Sequence, residues 1–288
     1  MERGHRRSFE HAVLGGLSLL AASLIESFAS ARAAKVLTRS GRLRRMPERR
    51  LFETARFTFD IAASGGAPPG SAAHENVLEI RLLHAFIRQR LLADGTFDVA
   101  AWGHPINQED YASTLLMFSH VYVRGLGQLG VALDQAEREA VHHTWRWIGH
   151  VMGIDHELLT ASVEDEQRLY AATTRRQFAP DEDSRALAHG LLGAMAGRPP
   201  FFLSRTALHV LARRLVGNAL GDAFQLERSG PWARGIDGFT LLARARDHIE
   251  AHVPMGRLVS RRIGKSVAER IIRNGLSTRA ESWVRQAH

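Results

Sequence analysis

Two arginines flank one histidine in the stretch RLLHAFIR, residues 81–88, at a spacing that suits one side of a helix. On a helical wheel, Arg81 and Arg88 border an apolar stripe that contains His84. An imidazole on an apolar helix face can ligate the iron of a b-type haem, and neighbouring arginines can bind the haem propionates through charge-assisted hydrogen bonds. Taken in isolation, the motif favours a structural interpretation, with a hydrogen-bonded core histidine and arginines whose alkyl stems cover the core.

Helical periodicity dominates the rest of the chain, because apolar residues recur every three or four positions. Strand-like alternation is nearly absent, and its one example, HVYVR at 120–124, lies inside a longer helical pattern. Turn-forming residues separate the helical segments. We predict helices over 12–28, 47–62, 75–93, 108–131, 135–152, 162–178, 184–196, 204–221, 238–252 and 257–273. These patterns indicate an all-α protein with a single domain over residues 1–288, in which residues 1–11 form a flexible N-terminal tail.

Two helix starts carry capping signals. Asn107 precedes a helix whose third position is Asp110, and Asp134 is followed three residues later by Glu137. Such pairs satisfy the free backbone N–H groups at a helix N-terminus.

Other motifs favour structural interpretations. GLGQLG at 125–130 matches the dinucleotide-binding glycine pattern but lies late in a predicted helix without a strand before it, which indicates close helix packing. DHELL at 155–159 lacks the second histidine of a zinc-protease motif. VHHTWRWIGH at 141–150 places His143, Arg146 and His150 along one face, which is more typical of polar or hydrogen-bonded histidines than of ligands.

Composition narrows the function classes. The 288 residues are 45% hydrophobic and 24% charged, as expected of a globular protein. The net charge of +8 and the basic cluster at 39–50 suggest nucleic-acid binding, but acidic blocks interrupt the pattern and no known nucleic-acid motif is present, so we expect no nucleic-acid partner. The absence of cysteine excludes disulfides, iron–sulfur clusters, thiolate-ligated haem and cysteine nucleophiles.

The N-terminal segment has two interpretations. Arg6 and Arg7, the apolar run 12–25 and a small-residue site at 29–31 match a twin-arginine export signal. The alternative is a mature helix that ends near Phe28. The apolar run is short for a membrane span, so we expect no stable one.

Several blocks, in order, resemble a known family. RLLHAFIR is similar to the R-x-x-H-x-x-x-R motif of the haem-b oxygenases that include rubber oxygenases (latex-clearing proteins) and the mycophenolate-pathway oxygenase. The blocks SLIESFASARAAKVLTRSGRL, RLFETARFTFDI, GHPINQEDYASTLLMFS and HTWRWIGHVMGIDHELL also resemble that family. The resemblance covers most of the chain and implies an all-α, globin-like helical bundle with additional helices around a haem pocket. It also makes the N-terminal helix part of the mature core, which favours a cytoplasmic protein over an exported one.

The resemblance implies roles for particular residues. His84 corresponds to the proximal iron ligand, and Arg81 and Arg88 to the arginines that flank it. The block RLFET implicates Arg50 and Thr54 in the haem pocket.

This sequence departs from the rubber-cleaving members immediately before that threonine, where they can have a distal lysine and this chain has Glu53. A carboxylate can bind ferric iron weakly, or act as a general base if burial raises its pKa. The departure places polyisoprene as the substrate in doubt. Glu26 is the other candidate for the distal acid–base group.

We therefore expect a haem-b-dependent oxygenase that acts with O₂ on a hydrophobic small molecule, such as an isoprenoid or another alkene, with Glu53 and Thr54 on the distal side. An electron donor is a further partner to consider. Two alternatives stay open: a haem peroxidase or peroxygenase, and a helical binding protein whose haem site has decayed.

Overall fold

The computed structural model describes residues 9–40, 47–228, 230–253 and 255–277, and these residues form α-helices joined by short loops without a β-strand. The helices are α1 (Ala12–Ser18, continued by a π-helical segment Leu19–Leu24 and by Ile25–Ser27), α2 (Ala31–Arg39), α3 (Pro47–Ala63), α4 (Ala72–Ala93), α5 (Val99–Trp102), α6 (Gln108–Leu116, continued by a π-helical segment Met117–Val121 and by Tyr122–Gln128), α7 (Gln135–Met152), α8 (Val163–Gln177), α9 (Glu182–Met195), α10 (Arg205–Val216), α11 (Asn218–Ala223), α12 (Pro231–His252) and α13 (Gly256–Ser277). The all-α prediction is confirmed.

The helix starts follow the local sequence. Asn107 and Asp110 form a complete capping box at α6, and Asp134 and Glu137 form another at α7, as predicted. Side-chain oxygens also cap α4, α8, α9 and α10 at Ser71, Ser162, Asp181 and Ser204. These caps fix where each helix begins and therefore which side chains face the core.

Two long helices, α1 and α6, lie together at the centre of the protein. Their π-helical segments contact each other, and Leu20 and Ile25 of α1 are completely buried. The close approach requires a glycine, because a Cβ on Gly125 would overlap the hydroxyl of Ser18. The packing interpretation of GLGQLG is thereby confirmed. One cluster of buried apolar residues extends from Leu14 to Ala243.

Several predicted boundaries differ from the structure. The segment predicted as one helix over 204–221 is divided at Gly217, which has a φ of 88° and separates α10 from α11. Helix α2 was not predicted, because its sequence ARAAKVLTR has few large apolar residues to set a period. Helix α12 begins at Pro231, seven residues before the predicted start at 238.

The expected tail at residues 1–11 is wrong for its last three residues. Phe9, Glu10 and His11 are buried. The ring of Phe9 packs edge-on against Phe59 at 5.3 Å, and His11 Nε2 lies 3.0 Å from a carboxylate oxygen of Asp247. Residues 1–8, including the twin arginines, and residues 41–46 of the basic cluster lie outside the described part of the chain. Within the described ranges, every helix is too short or too polar to cross a bilayer.

Candidate functional site

His84 lies in the middle of α4, on the side that faces the neighbouring helices. Val77 and Leu91 of the same stripe are buried, so the helix presents the apolar face that the sequence predicts. The His84 ring lies 5.4 Å from the ring of Tyr111, which begins the second turn of α6. Its Nδ1 atom is buried and has no hydrogen-bond partner. The Nδ1 atom of His84 therefore does not form the backbone hydrogen bond that the structural interpretation expects of a core histidine.

The environment keeps His84 neutral. Burial, with the positive charges of Arg50 and Arg88, lowers the pKa of His84 from 6.5 to about 4. At neutral pH the ring therefore has a free lone pair, which metal coordination requires. The influence of Arg50 also places the start of α3 near the middle of α4, so the two blocks RLFET and RLLHAFIR converge as expected.

Arg81 and Arg88 fix the position of α4. The Nη1 group of Arg81 donates to the carbonyl of Val151 at 3.0 Å, near the end of α7. Arg88 donates through Nε to the carbonyl of Pro105 at 3.2 Å and through Nη2 to that of Ile106. Each guanidinium has five N–H groups, so donors remain on both after these bonds.

Arg50, Glu53 and Thr54 share the first two turns of α3. The carboxylate of Glu53 accepts from Arg50 at 3.1 Å and from Arg49 at 3.0 Å. Its side chain is 34% exposed, so the burial that the general-base interpretation requires is missing. The hydroxyl of Thr54 donates to the carbonyl of Arg50 at 2.9 Å. The catalytic roles of Glu53 and Thr54 stay predictions.

Glu26, the alternative acid–base candidate, lies in a separate buried cluster. It has no exposed surface, and its carboxylate accepts hydrogen bonds from Arg124 of α6 and from the hydroxyl of Tyr170 of α8. Burial and the charge of Glu26 raise the pKa of Tyr170 to about 12. The ring of His120 lies 4.5 Å from that of Tyr170. Burial, together with the charge of Arg124, lowers the pKa of His120 to about 4.

Sequence reasoning named only Glu26 from this cluster. Arg124 could have been noticed as a charge inside the apolar run HVYVR, whereas Tyr170 had no distinguishing pattern around it. Tyr111, which contacts both His84 and Arg88, was also missed, although it follows the PINQED block directly.

An apolar cavity of about 150 Å³ lies against another face of α3. Ala55, Thr58 and Phe59 of α3 line it, with Trp145 of α7 and Ile271 of α13 among the facing residues. A dry cavity of this size can hold a molecule as large as benzene. Nothing in the sequence pattern indicated this cavity, because its walls come from helices far apart in the chain.

The sequence favoured polar or hydrogen-bonded roles for the histidines of VHHTWRWIGH, and His143 and His150 lie at exposed positions. His142 bonds the hydroxyl of Thr160 at 2.9 Å, and His150 stacks on Trp147 at 5.7 Å. Among the described residues, no three His, Asp or Glu side chains are grouped as metal ligands. A lone imidazole such as His84 would need a metal whose other ligands come from elsewhere.

Comparisons with known proteins show which family and which fold the chain resembles. Residues 7–246 match the family model described as ER-bound oxygenase mpaB/B′/rubber oxygenase, catalytic domain. A rubber oxygenase from Streptomyces sp. (strain K30) is 25% identical over 181 residues, which are 62% of this chain and 44% of the relative, so the chain spans less than half of that protein. The structure of latex clearing protein LCP in the closed state superposes with a TM-score of 0.75 at 21% identity, covering 92% of this chain and 73% of that one.

Proposed function

The chain belongs to the family of ER-bound oxygenase mpaB/B′ and rubber oxygenase catalytic domains, and on that premise we propose that it is a haem-b-dependent oxygenase. Its proposed substrate is a hydrophobic small molecule with a carbon–carbon double bond, and O₂ is the proposed co-substrate. The observation that carries the proposal is His84, a half-buried, neutral imidazole whose buried Nδ1 has no hydrogen-bond partner and which lies beside two guanidinium groups.

The residues around His84 fit a haem. A porphyrin that carries two propionates needs one neutral axial ligand and nearby cations, and His84 supplies the first. Arg50 and Arg88 are close enough to shift the pKa of His84. Arg81 and Arg88 keep unused N–H donors after bonding the carbonyls of neighbouring loops. We assign His84 as the iron ligand and Arg50, Arg81 and Arg88 to the propionates or to adjacent polar groups.

A bound haem with ferrous iron would supply the O₂ chemistry that no amino-acid side chain provides. The role of the protein chain itself is to position His84. Arg81 and Arg88 hold α4 against the end of α7 and against the loop before α6, so the orientation of His84 is fixed from both sides.

Glu53 and Thr54 are proposed to act on the distal side. The hydroxyl of Thr54 is a donor that can turn from the carbonyl of Arg50 towards a bound polar group. Glu53 can pass protons to and from solvent, since its side chain is one-third exposed. Its contacts with Arg49 and Arg50 keep the carboxylate at the start of α3.

The substrate class is argued from the relatives and from the cavity. The relative from Streptomyces is named a rubber oxygenase, and this chain has a glutamate, Glu53, where rubber-cleaving members can have a lysine. The apolar cavity beside α3 holds about 150 Å³, which suits a compact molecule better than a long polymer. We therefore propose a short isoprenoid or another small alkene.

The test begins with the ultraviolet–visible spectrum of the purified protein, oxidised and reduced. His84→Ala should abolish stoichiometric haem binding and its Soret band. His74→Ala is the matched control, because His74 lies on the same helix and also has a buried, unpartnered Nδ1. If His84→Ala keeps the wild-type Soret band, the ligand assignment is wrong. Turnover of an alkene under O₂, compared with hydrogen peroxide under anaerobic conditions, separates an oxygenase from a peroxygenase.

A further inference from the structure

The C-terminal helical hairpin, α12 and α13, exposes an unusual amount of apolar surface. On the outer side of α12, Leu242, Ile249 and Val253 are spaced by seven and four residues, so they form one stripe along the helix. The stripe continues around the turn at Met255 and along α13. The exposed large apolar residues of the hairpin are Trp232, Phe239, Leu241, Leu242, Ile249, Val253, Met255, Val259 and Ile263.

The apolar side chains of the hairpin are strongly exposed. Leu242 is 70% exposed and Met255 is 69% exposed, and the other residues of the stripe are each exposed by two-fifths or more. Nine of the fifteen exposed large apolar residues in the described ranges lie in this hairpin, whereas such residues are normally scattered singly over a soluble monomer. A concentration of this kind marks a surface that binds a partner or a membrane.

Helix α13 surrounds this stripe with positive charge. Its 22 residues include five arginines and one lysine against a single acidic residue, Glu269. Arg262, Arg270 and Arg273 project from the same exposed side as Val259 and Ile263. In the part of the chain that the structure describes, none of these three arginines has a carboxylate within ion-pair distance, although exposed arginines elsewhere do, as Arg246 does with Glu250.

The inner side of α13 packs against the core, so the exposed apolar stripe on the outer side is not needed for packing within the protein. Ile272 is buried, and Ala268 and Ile271 form part of the wall of the apolar cavity beside α3. Gly264 lies so close to the carbonyl of Phe9 that a Cβ would overlap that oxygen. The helix is thus fixed by one face and presents the other to the surroundings.

We propose that the outer face of the α12–α13 hairpin binds the surface of an anionic membrane. Amphipathic helices that combine exposed apolar side chains with arginine or lysine lie in the interface of such bilayers, with the apolar side chains among the acyl chains and the cations at the headgroups. A symmetric contact with a second copy is disfavoured, because it would bring two helices of net charge +5 together.

The family match ends at residue 246, before the whole of α13, so the proposal does not rest on the family assignment. The proposed binding takes place at the bilayer surface, because the described helices include none long and apolar enough to cross a bilayer. The hairpin would hold the protein at the source of apolar molecules without inserting the chain through the membrane.

The test uses the full chain and co-sedimentation with sucrose-loaded vesicles of phosphatidylcholine, with and without about one-quarter phosphatidylglycerol. The wild-type protein should bind the anionic vesicles, and binding should weaken between about 0.1 M and about 0.5 M salt. Arg262→Gln, Arg270→Gln and Arg273→Gln together should reduce the partition coefficient on the order of a hundredfold, since each charge near the surface contributes about fivefold.

The control for charge removes three arginines from other exposed helix positions, Arg90→Gln, Arg138→Gln and Arg175→Gln, and should retain most of the binding. This control gives the protein the same net charge as the α13 variant. If both triple variants lose binding equally, attraction depends on net charge alone and the hairpin is not the binding surface.

The apolar contribution is tested by Leu242→Ser, Ile249→Ser and Ile263→Ser in one protein. Loss of binding to anionic vesicles is expected, on the order of a hundredfold. The matched control is Leu82→Ser with Phe86→Ser, which removes exposed apolar side chains from α4 and should not change binding. Two further outcomes overturn the proposal. The first is wild-type protein that does not bind anionic vesicles. The second is a wild-type dimer, measured by light scattering, that the hairpin serine variant converts to a monomer. Neither outcome depends on haem, so this test is separate from that of the proposed function.

Discussion

Glu166 gives a quantitative test of the buried polar groups around α6. It lies in the first turn of α8, is 6% exposed, and forms a hydrogen bond with Ser119 of the π-helical segment. It also borders a small cavity of about 10 Å³, together with His142 and Thr160. Burial raises the pKa of Glu166 from 4.5 to about 7, and the bond with Ser119 only partly opposes this effect. The change to be tested is Glu166→Gln, which keeps the shape of the protonated acid.

The sign of the effect follows from proton linkage. Because the pKa is higher in the folded state than in the unfolded state, the folded protein binds the proton more tightly. The stabilisation from this site is fully present below pH 4.5 and is lost as the pH rises through 7. A difference of about 2.5 pKa units corresponds to roughly 3 kcal/mol. Glutamine does not ionise, so the variant should be more stable than the wild type by roughly 3 kcal/mol at pH 8.5 and by less than about 1 kcal/mol at pH 5.

Urea unfolding of wild type and variant at both pH values measures this difference. The comparison between the two proteins is necessary because buried histidines with lowered pKa values, such as His120, make the wild type less stable as the pH falls below 6.5. Glu164→Gln, at an exposed position on the same turn of α8, should change stability by no more than about 0.5 kcal/mol at either pH. Equal effects of Glu166→Gln at pH 5 and 8.5, or a loss of stability at pH 8.5, would refute the reasoning.

Two further predictions concern the contact between α1 and α6. Gly125→Ala should lower the unfolding free energy by about 1–3 kcal/mol, because its methyl group would overlap Ser18. The control Gly127→Ala, which has open space around it, should be neutral or slightly stabilising. Equal melting temperatures for the two variants would contradict the close packing. Arg124→Met should cost about 3–5 kcal/mol in urea unfolding by leaving the fully buried Glu26 without its cation, and a cost below about 1 kcal/mol would show that the pair is not structurally important.

The helices were largely predictable because their apolar residues follow a regular period. The helix predicted over 75–93 is observed as Ala72–Ala93, and the two capping boxes begin at Asn107 and Asp134 as expected. Errors occurred where large apolar residues are few or where glycines interrupt the helix. Helix α2 has small and polar residues, and the first turns of α12 contain Gly235 and Gly238, which are unfavourable in a helix interior.

The candidate site was predictable only in part. The sequence motif identified His84 and its flanking arginines, and the resemblance to a family connected them with Arg50. The partner of His84 in space, Tyr111, and the carbonyls that Arg81 and Arg88 bind depend on how α4 packs against α6 and α7. Such contacts between helices leave no periodic signal in one sequence, so they required the structure.

The π-helical segments explain why the buried cluster at Glu26 could not be placed from the sequence. A helical wheel assigns faces at about 100° per residue, and a π-turn contains an extra residue that rotates everything after it. Glu26 follows the π-segment of α1, and Arg124 follows that of α6. Both residues therefore lie on faces other than those that a regular wheel assigns, and the two shifts together bring the carboxylate and the guanidinium into contact. Because π-turns inside helices are rare and frequently occur at functional sites, the packed pair of π-segments marks the Glu26 cluster as a second site for mutational study, separate from that of His84.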